Sequence, residues 1–164
     1  QAISATTEGH ESLSGLYLWL MSSTAILHES TLLSGEEKTF FEEIAKKYQK
    51  PLTEEIAKIT TRNNTCSVAE GLGNYISFAK DSSKTDLELA LLQNLLRSNS
   101  RLQVTSTQVA ALDGTEYTIP RNDLHRVLGG FLDSFDRLQT RIDYIQHCAL
   151  AFLNYQSILE NQKK

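Results

Sequence analysis

Apolar residues recur at every third or fourth position along most of this chain, the spacing of helices that bury one face. Leu13, Leu16, Leu20 and Leu27, with Ser23 completing the series, lie on one stripe and predict a first helix from about His10 to Ser30. Leu18, Trp19 and Met21 fall off that stripe, so this helix is expected to be covered on several sides and to sit at the centre of the package. Ser34 with Glu37 forms a capping box ahead of Phe40, Phe41, Ile44 and Tyr48 and starts a second helix. Pro51 suits a first helical turn and breaks what precedes it, which assigns Leu52, Ile56 and Ile59 to a separate short helix.

Ser67 with Glu70 reads as another capping box, before Val68, Leu72, Ile76 and Ala79. Gly71 and Gly73 each weaken that helix by about 1 kcal/mol relative to Ala, and they would let two backbones approach closely. Thr85 with Glu88 opens a Leu-rich helix carrying Leu87, Leu91, Leu92, Leu95 and Leu96. Residues 104–119 fit a helix least well. Asp113-Gly114 is a turn signal there, and both a short β-hairpin and a long irregular crossover fit it. A last helix is predicted from about Asn122 to Glu160, because Leu128, Phe131, Phe135, Leu138, Ile142, Ile145, Ala149 and Phe152 alternate spacings of three and four. Gly129-Gly130 marks a bend or a frayed start in it.

These elements predict an all-α fold. Residues 10–164 form a single-domain helical bundle of four to six helices with a long C-terminal helix, and residues 1–9 a disordered N-terminal segment. A β-hairpin in the 104–119 crossover is the one departure from helix. The connections run long, short, long, which is the order of an up-up-down-down bundle. In that topological respect alone the chain resembles secreted helical cytokines and hormones, and the resemblance transfers no binding residue.

Composition narrows the functional classes. The 164 residues are 40% hydrophobic, enough for one domain to bury its own core. Sixteen Lys and Arg against twenty Asp and Glu give a formal charge of −4, which argues against a nucleic-acid partner. The longest apolar run, Leu16 to Met21, falls far short of the roughly 20 residues that span a bilayer, so no transmembrane segment is expected. Cys66 and Cys148 are the two cysteines. They have no CxxC spacing and no His at ligand distance, which disfavours zinc. Their even number points to one disulfide closing a long loop, worth roughly 4 to 5 kcal/mol on a chain-entropy account. The sequence opens on Gln1, a residue that can cyclise after a leader is removed, and Asn63-Asn64-Thr65 is a glycosylation sequon. Together these features lead to the expectation of a secreted, extracellular protein with a Cys66–Cys148 disulfide and a glycan at Asn63.

No constellation for catalysis stands out. GxSxG, Walker, GxGxxG and HExxH motifs are missing, and His10, His28, His125 and His147 are too scattered for a helical metal pair. Glu42-Glu43 and Glu54-Glu55 are adjacent pairs whose side chains point about 100° apart on a helix. The expected function is therefore non-enzymatic, with no cofactor and no metal. Binding another protein is the leading reading, with Arg137, Asp143 and Tyr144 as contact residues on the outer face of the last helix. The alternative is a carrier of a small hydrophobic ligand such as a lipid, held among Trp19, Phe40, Phe41, Phe131 and Phe135.

Overall fold

The computed structural model describes residues 10–56, 63–79, 85–110, 116–135 and 137–162. The N-terminal segment expected to be disordered, Ile59 and the Asp113-Gly114 turn lie outside them. In chain order the elements are α1 (His10–Glu29), α2 (Gly35–Ile56), α3 (Cys66–Phe78), α4 (Asp86–Arg101), β1 (Gln108–Ala110), β2 (Glu116–Thr118), α5 (Arg121–Val127), β3 (Leu132–Ser134), β4 (Arg137–Thr140) and α6 (Ile142–Asn161). The described residues are mostly helical, the bundle is present, and β1 and β2 form the antiparallel hairpin in the 104–119 crossover, with Val109 opposite Tyr117.

The Ser34 capping box starts α2. Ser34 donates its N–H and its hydroxyl to Glu37 Oε2 at 2.9 and 2.8 Å, and accepts the Glu37 N–H at 3.3 Å. The helix then continues through Pro51, where the sequence had suggested a break. A proline in a helix interior costs about 3 kcal/mol, and packing across it outweighs that. Ala45, Gln49, Thr53 and Ile56 are all buried at helical spacing, a stripe that exists only if the helix is continuous. Thr53 Oγ1 donates to the Gln49 carbonyl at 3.0 Å, and Tyr17 of α1 donates to Gln49 Oε1 at 2.8 Å.

The central helix is α3, not α1. Val68, Ala69, Leu72, Tyr75 and Phe78 are buried, along with Gly71 and Gly73 on opposite sides. A Cβ on Gly71 would lie 2.8 Å from Tyr17 Cε1 and 3.2 Å from Leu18 Cα, and one on Gly73 would lie 2.9 Å from Asn154 Cβ. The two glycines thus admit α1 on one side and α6 on the other. The Ser67 capping box is not used: α3 begins at Cys66, whose N–H goes to Asn64 Oδ1 at 3.0 Å, and Glu70 bonds His147 instead. Because α1 packs on one side of α3, its opposite face is left exposed.

Cross-helix contacts fix the directions. Tyr17 meets Gly71 and His28 meets Phe78, so α1 and α3 are parallel. Tyr17 reaches Gln49 while His28 reaches Glu42, so α2 runs opposite to α1. Asn99 bonds Thr65 while Glu88 lies near Tyr75, so α4 runs opposite to α3. Cys66 joins Cys148 and Asn74 bonds Asn154, so α6 is parallel to α3. The order α1, α3, α4, α6 is therefore up-up-down-up, with α2 as the descending first crossover. The last step departs from the up-up-down-down order because the second long connection does not return alongside the bundle. It folds into a cap.

That cap replaces the first half of the predicted last helix. Gly129 adopts φ 82°, in the left-handed region that ends a helix readily only at glycine. Beyond it the chain pairs with distant backbone. Gly129 and Leu132 donate to the carbonyls of Val104 and Leu102 at 2.8 and 3.0 Å, and Asn64 donates to the Asp133 carbonyl. β3 and β4 then pair antiparallel through an irregular register. Leu102, Val104, Val109, Ile119, Leu132 and Phe135 form a small core of their own, beside the main core between α3 and the helices packed on it. The three-four spacing from Leu128 to Leu138 is thus not a helical seam: Leu128 is exposed, while Phe131 and Phe135 enter different clusters.

Candidate functional site: the disulfide junction and the exposed helix faces

The Cys66–Cys148 disulfide forms, fully buried, where the cap meets the bundle. Phe131 from the cap and Phe152 from α6 pack around it, their rings 6.4 Å apart. Asn64 Nδ2 reaches the Leu132 carbonyl at 3.1 Å and Cys148 Sγ at 3.7 Å. One residue before Cys148, His147 Nδ1 meets Glu70 Oε2 at 2.7 Å, a second tie between α3 and α6. The junction is a structural clasp: its polar groups serve one another. Asn63 is exposed at its edge, bridged to Ser134, while the sequon's Thr65 is buried.

The three contact residues expected on one outer helix face are dispersed. Arg137 belongs to β4, and its side chain lies outside the described residues. Asp143 takes two bonds from Arg141, at 3.0 and 2.8 Å, and that guanidinium lies 4.9 Å from the centre of the Tyr144 ring. Tyr144 donates its hydroxyl to Asp133 Oδ1 at 2.8 Å. Partial burial and then the Asp133 hydrogen bond raise the Tyr144 pKa above the ordinary tyrosine value, and Asp143 holds the Arg141 guanidinium more firmly protonated. Tyr144 thus braces the start of α6 against β3, while Asp143 is held by Arg141 just before the helix.

The five aromatic residues considered for a ligand cavity are not brought together. Trp19 is 68% exposed on α1 and Phe40 is 59% exposed on α2, its ring 5.6 Å from half-buried Phe41. Phe131 packs on the disulfide and Phe135 fills the cap. A pocket of about 370 Å³ does lie over α3 between α1 and α6, but none of the five aromatic residues lines it; its walls mix polar and apolar side chains, with Ser22, Ile26, Glu29, Asn74, Asn154 and Ile158 among them. Asn154 donates to Asn74 and Asn74 to Ser22, so its floor is a ladder of side-chain hydrogen bonds. Among the described residues no group of three or more His, Cys, Asp or Glu stands together to hold a metal ion, and no helix is long and apolar enough to cross a membrane.

What the sequence reading missed is on the outside. Leu16, Trp19 and Ile26 are 52, 68 and 70% exposed and follow one another along α1 with Ser23 between them. On α6 the exposed apolar residues are Ile142, Ile145, Leu150 and Leu153. The stripe predicted to face the core is only partly buried: Leu16 and Ser23 on it are exposed, while Leu18 and Met21, which fall off it, are buried beside Tyr17, so of the off-stripe residues Trp19 alone turns outward. Comparison with protein families, with characterised proteins and with solved structures returns no match.

Proposed function

We propose that the protein is a secreted, non-enzymatic helical protein that acts by binding another protein through the outer face of α1. The observation that carries this reading is the exposure of Trp19, the chain's single tryptophan, in line with Leu16 and Ile26. Trp19 stands one turn from Leu16 on this face, and tryptophan is among the residues most enriched where binding energy concentrates. The partner this face fits offers an apolar cleft able to take an indole ring. The buried disulfide supports an oxidising compartment, where such bonds form and persist.

The test places a photo-crosslinking residue at position 19 of the oxidised protein and exposes it to extracellular proteins of its own source. A partner captured from position 19, and bound at least about tenfold more weakly by Trp19→Ser with unchanged circular dichroism, is the expected result; a single hot-spot residue accounts for a loss of that size. No captured partner, or binding indifferent to Trp19→Ser, overturns the proposal.

A further inference from the structure

The Asn63-Asn64-Thr65 sequon is built into the junction between bundle and cap. Asn63 is exposed, and its backbone pairs with that of Ser134. Asn64 donates its N–H to the Asp133 carbonyl at 2.6 Å and its side-chain amide to the Leu132 carbonyl at 3.1 Å, and its Oδ1 accepts the Cys66 N–H at 3.0 Å. Thr65 is buried, and Asn99 holds both its N–H and its Oγ1. Cys66, the next residue, is closed into the disulfide. A sequon is read through its third residue, where only Ser and Thr supply the hydroxyl. In the folded protein that hydroxyl is turned inward, while the asparagine that would carry the sugar faces water.

We propose that Asn63 accepts a glycan only while the chain is nascent, and that docking of the cap seals the sequon. The inference rests on the reading of the protein as secreted. In the transfer, Asn63 Nδ2 bonds to the anomeric carbon of an oligosaccharide carried on a polyprenyl diphosphate. The bond from that carbon to the diphosphate oxygen breaks, the lipid diphosphate leaves with the electron pair, and the amide gives up one proton.

The contacts that seal the sequon come from late in the chain. Asn99 lies 34 residues beyond Thr65, and Leu132 lies 68 beyond Asn64. Synthesis runs at about 5 to 20 residues per second, so the sequon is open for about 2 to 7 s before Asn99 is made and about 3 to 14 s before Leu132 is. Cys148 arrives later still. Transfer therefore competes with closure, and a delay in closure raises occupancy. The closing bonds use Asn64, Thr65 and the Asn63 backbone, so a glycan already on the Asn63 side chain stays in water and does not obstruct them.

Two forms of the full-length chain test this, each given an oligosaccharyltransferase and its lipid-linked donor. One is native and oxidised. The other is reduced and S-carboxymethylated, which puts a carboxylate on each of two sulfur positions that have no exposed surface, so the cap cannot dock. Mass spectrometry of the peptide holding Asn63 reads the rate. The expected result is that the carboxymethylated chain is modified and the native chain is modified at least about tenfold more slowly, because the native rate follows the small population that has opened. Thr65→Ala in the carboxymethylated chain is expected to abolish the reaction. A native chain modified as fast as the carboxymethylated one overturns the sealing. A carboxymethylated chain left unmodified, while a short Asn-Ala-Thr peptide is glycosylated in the same tube, overturns the acceptor assignment. Modification that survives Thr65→Ala is not directed by the sequon and overturns it as well. Because the transferase is supplied in the tube, each of these failures is separate from a failure of the secretion reading, which the location of the protein in its own source decides.

Discussion

Asn99 and Thr65 satisfy one another inside the protein. Asn99 Oδ1 accepts the Thr65 backbone N–H at 3.0 Å, and Asn99 Nδ2 donates to Thr65 Oγ1 at 2.9 Å and to the Leu95 carbonyl at 2.9 Å. Asn99 is fully buried, so neither group of Thr65 can turn to water if it is lost. Asn99→Leu is expected to destabilise the fold by about 2 to 4 kcal/mol, the cost of leaving two buried polar groups unmet. The urea midpoint measures it.

Gly71 faces the buried Tyr17 ring and Leu18 Cα, and Gly73 faces Asn154 Cβ, where a methyl has no room. Alanine would improve the helix propensity of each position by about 1 kcal/mol. Overpacking is expected to win, so that Gly71→Ala loses about 1 to 3 kcal/mol net of that gain. Gly73→Ala is expected to lose a comparable amount, because the Asn154 Cβ it would meet at 2.9 Å is fixed to the α6 backbone and cannot swing away. Thermal unfolding of the two variants measures both losses.

The disulfide is buried at both sulfur atoms. Denatured, unreduced protein should show no titratable thiol. Replacing both Cys66 and Cys148 with Ala should lower stability by roughly 4 to 5 kcal/mol on the chain-entropy account for a separation of 82 residues. Equilibrium unfolding of the oxidised and double-Ala proteins measures the difference.

Burial pushes the Tyr17 hydroxyl far above the ordinary tyrosine value of 10.0, against the opposing effect of its bond to Gln49, and Tyr75 is shifted the same way by burial and then by Glu88. Above that value the unfolded chain gives up these protons while the folded protein keeps them. Stability is therefore intact below about pH 10 and declines as pH rises beyond it. Tyr17→Phe should be less stable than the native protein by about 1 kcal/mol at neutral pH, for the lost hydrogen bond, and the gap should narrow or reverse near pH 11. Urea unfolding at both pH values is the check.

The parts legible in the sequence are those set locally. Ser34 and Glu37 are three residues apart and cap α2 as their spacing implies. The hairpin follows its turn signal, and two cysteines leave one pairing. The parts that were not legible are set by distant backbone. Pro51 is carried inside a helix by Tyr17, thirty-four residues earlier, through Gln49. Phe131 and Phe135 have helical spacing, yet Gly129 and the carbonyls of Leu102 and Val104 draw that segment into strands. The outer faces of α1 and α6 were missed for a related reason: an apolar residue looks the same in a sequence whether it meets a core or a partner.

The Cys66–Cys148 bond also sets how the molecule would answer a mechanical load. Stretched by its two ends, the oxidised polypeptide transmits tension through residues 1–66, across the sulfur bridge, and on through 148–164. The cap and α4 lie inside the sealed loop and feel no direct pull. Reduction would add 82 residues of slack, roughly 280 Å of contour length, so a single-molecule extension trace would report the oxidation state of the clasp as a change in reach.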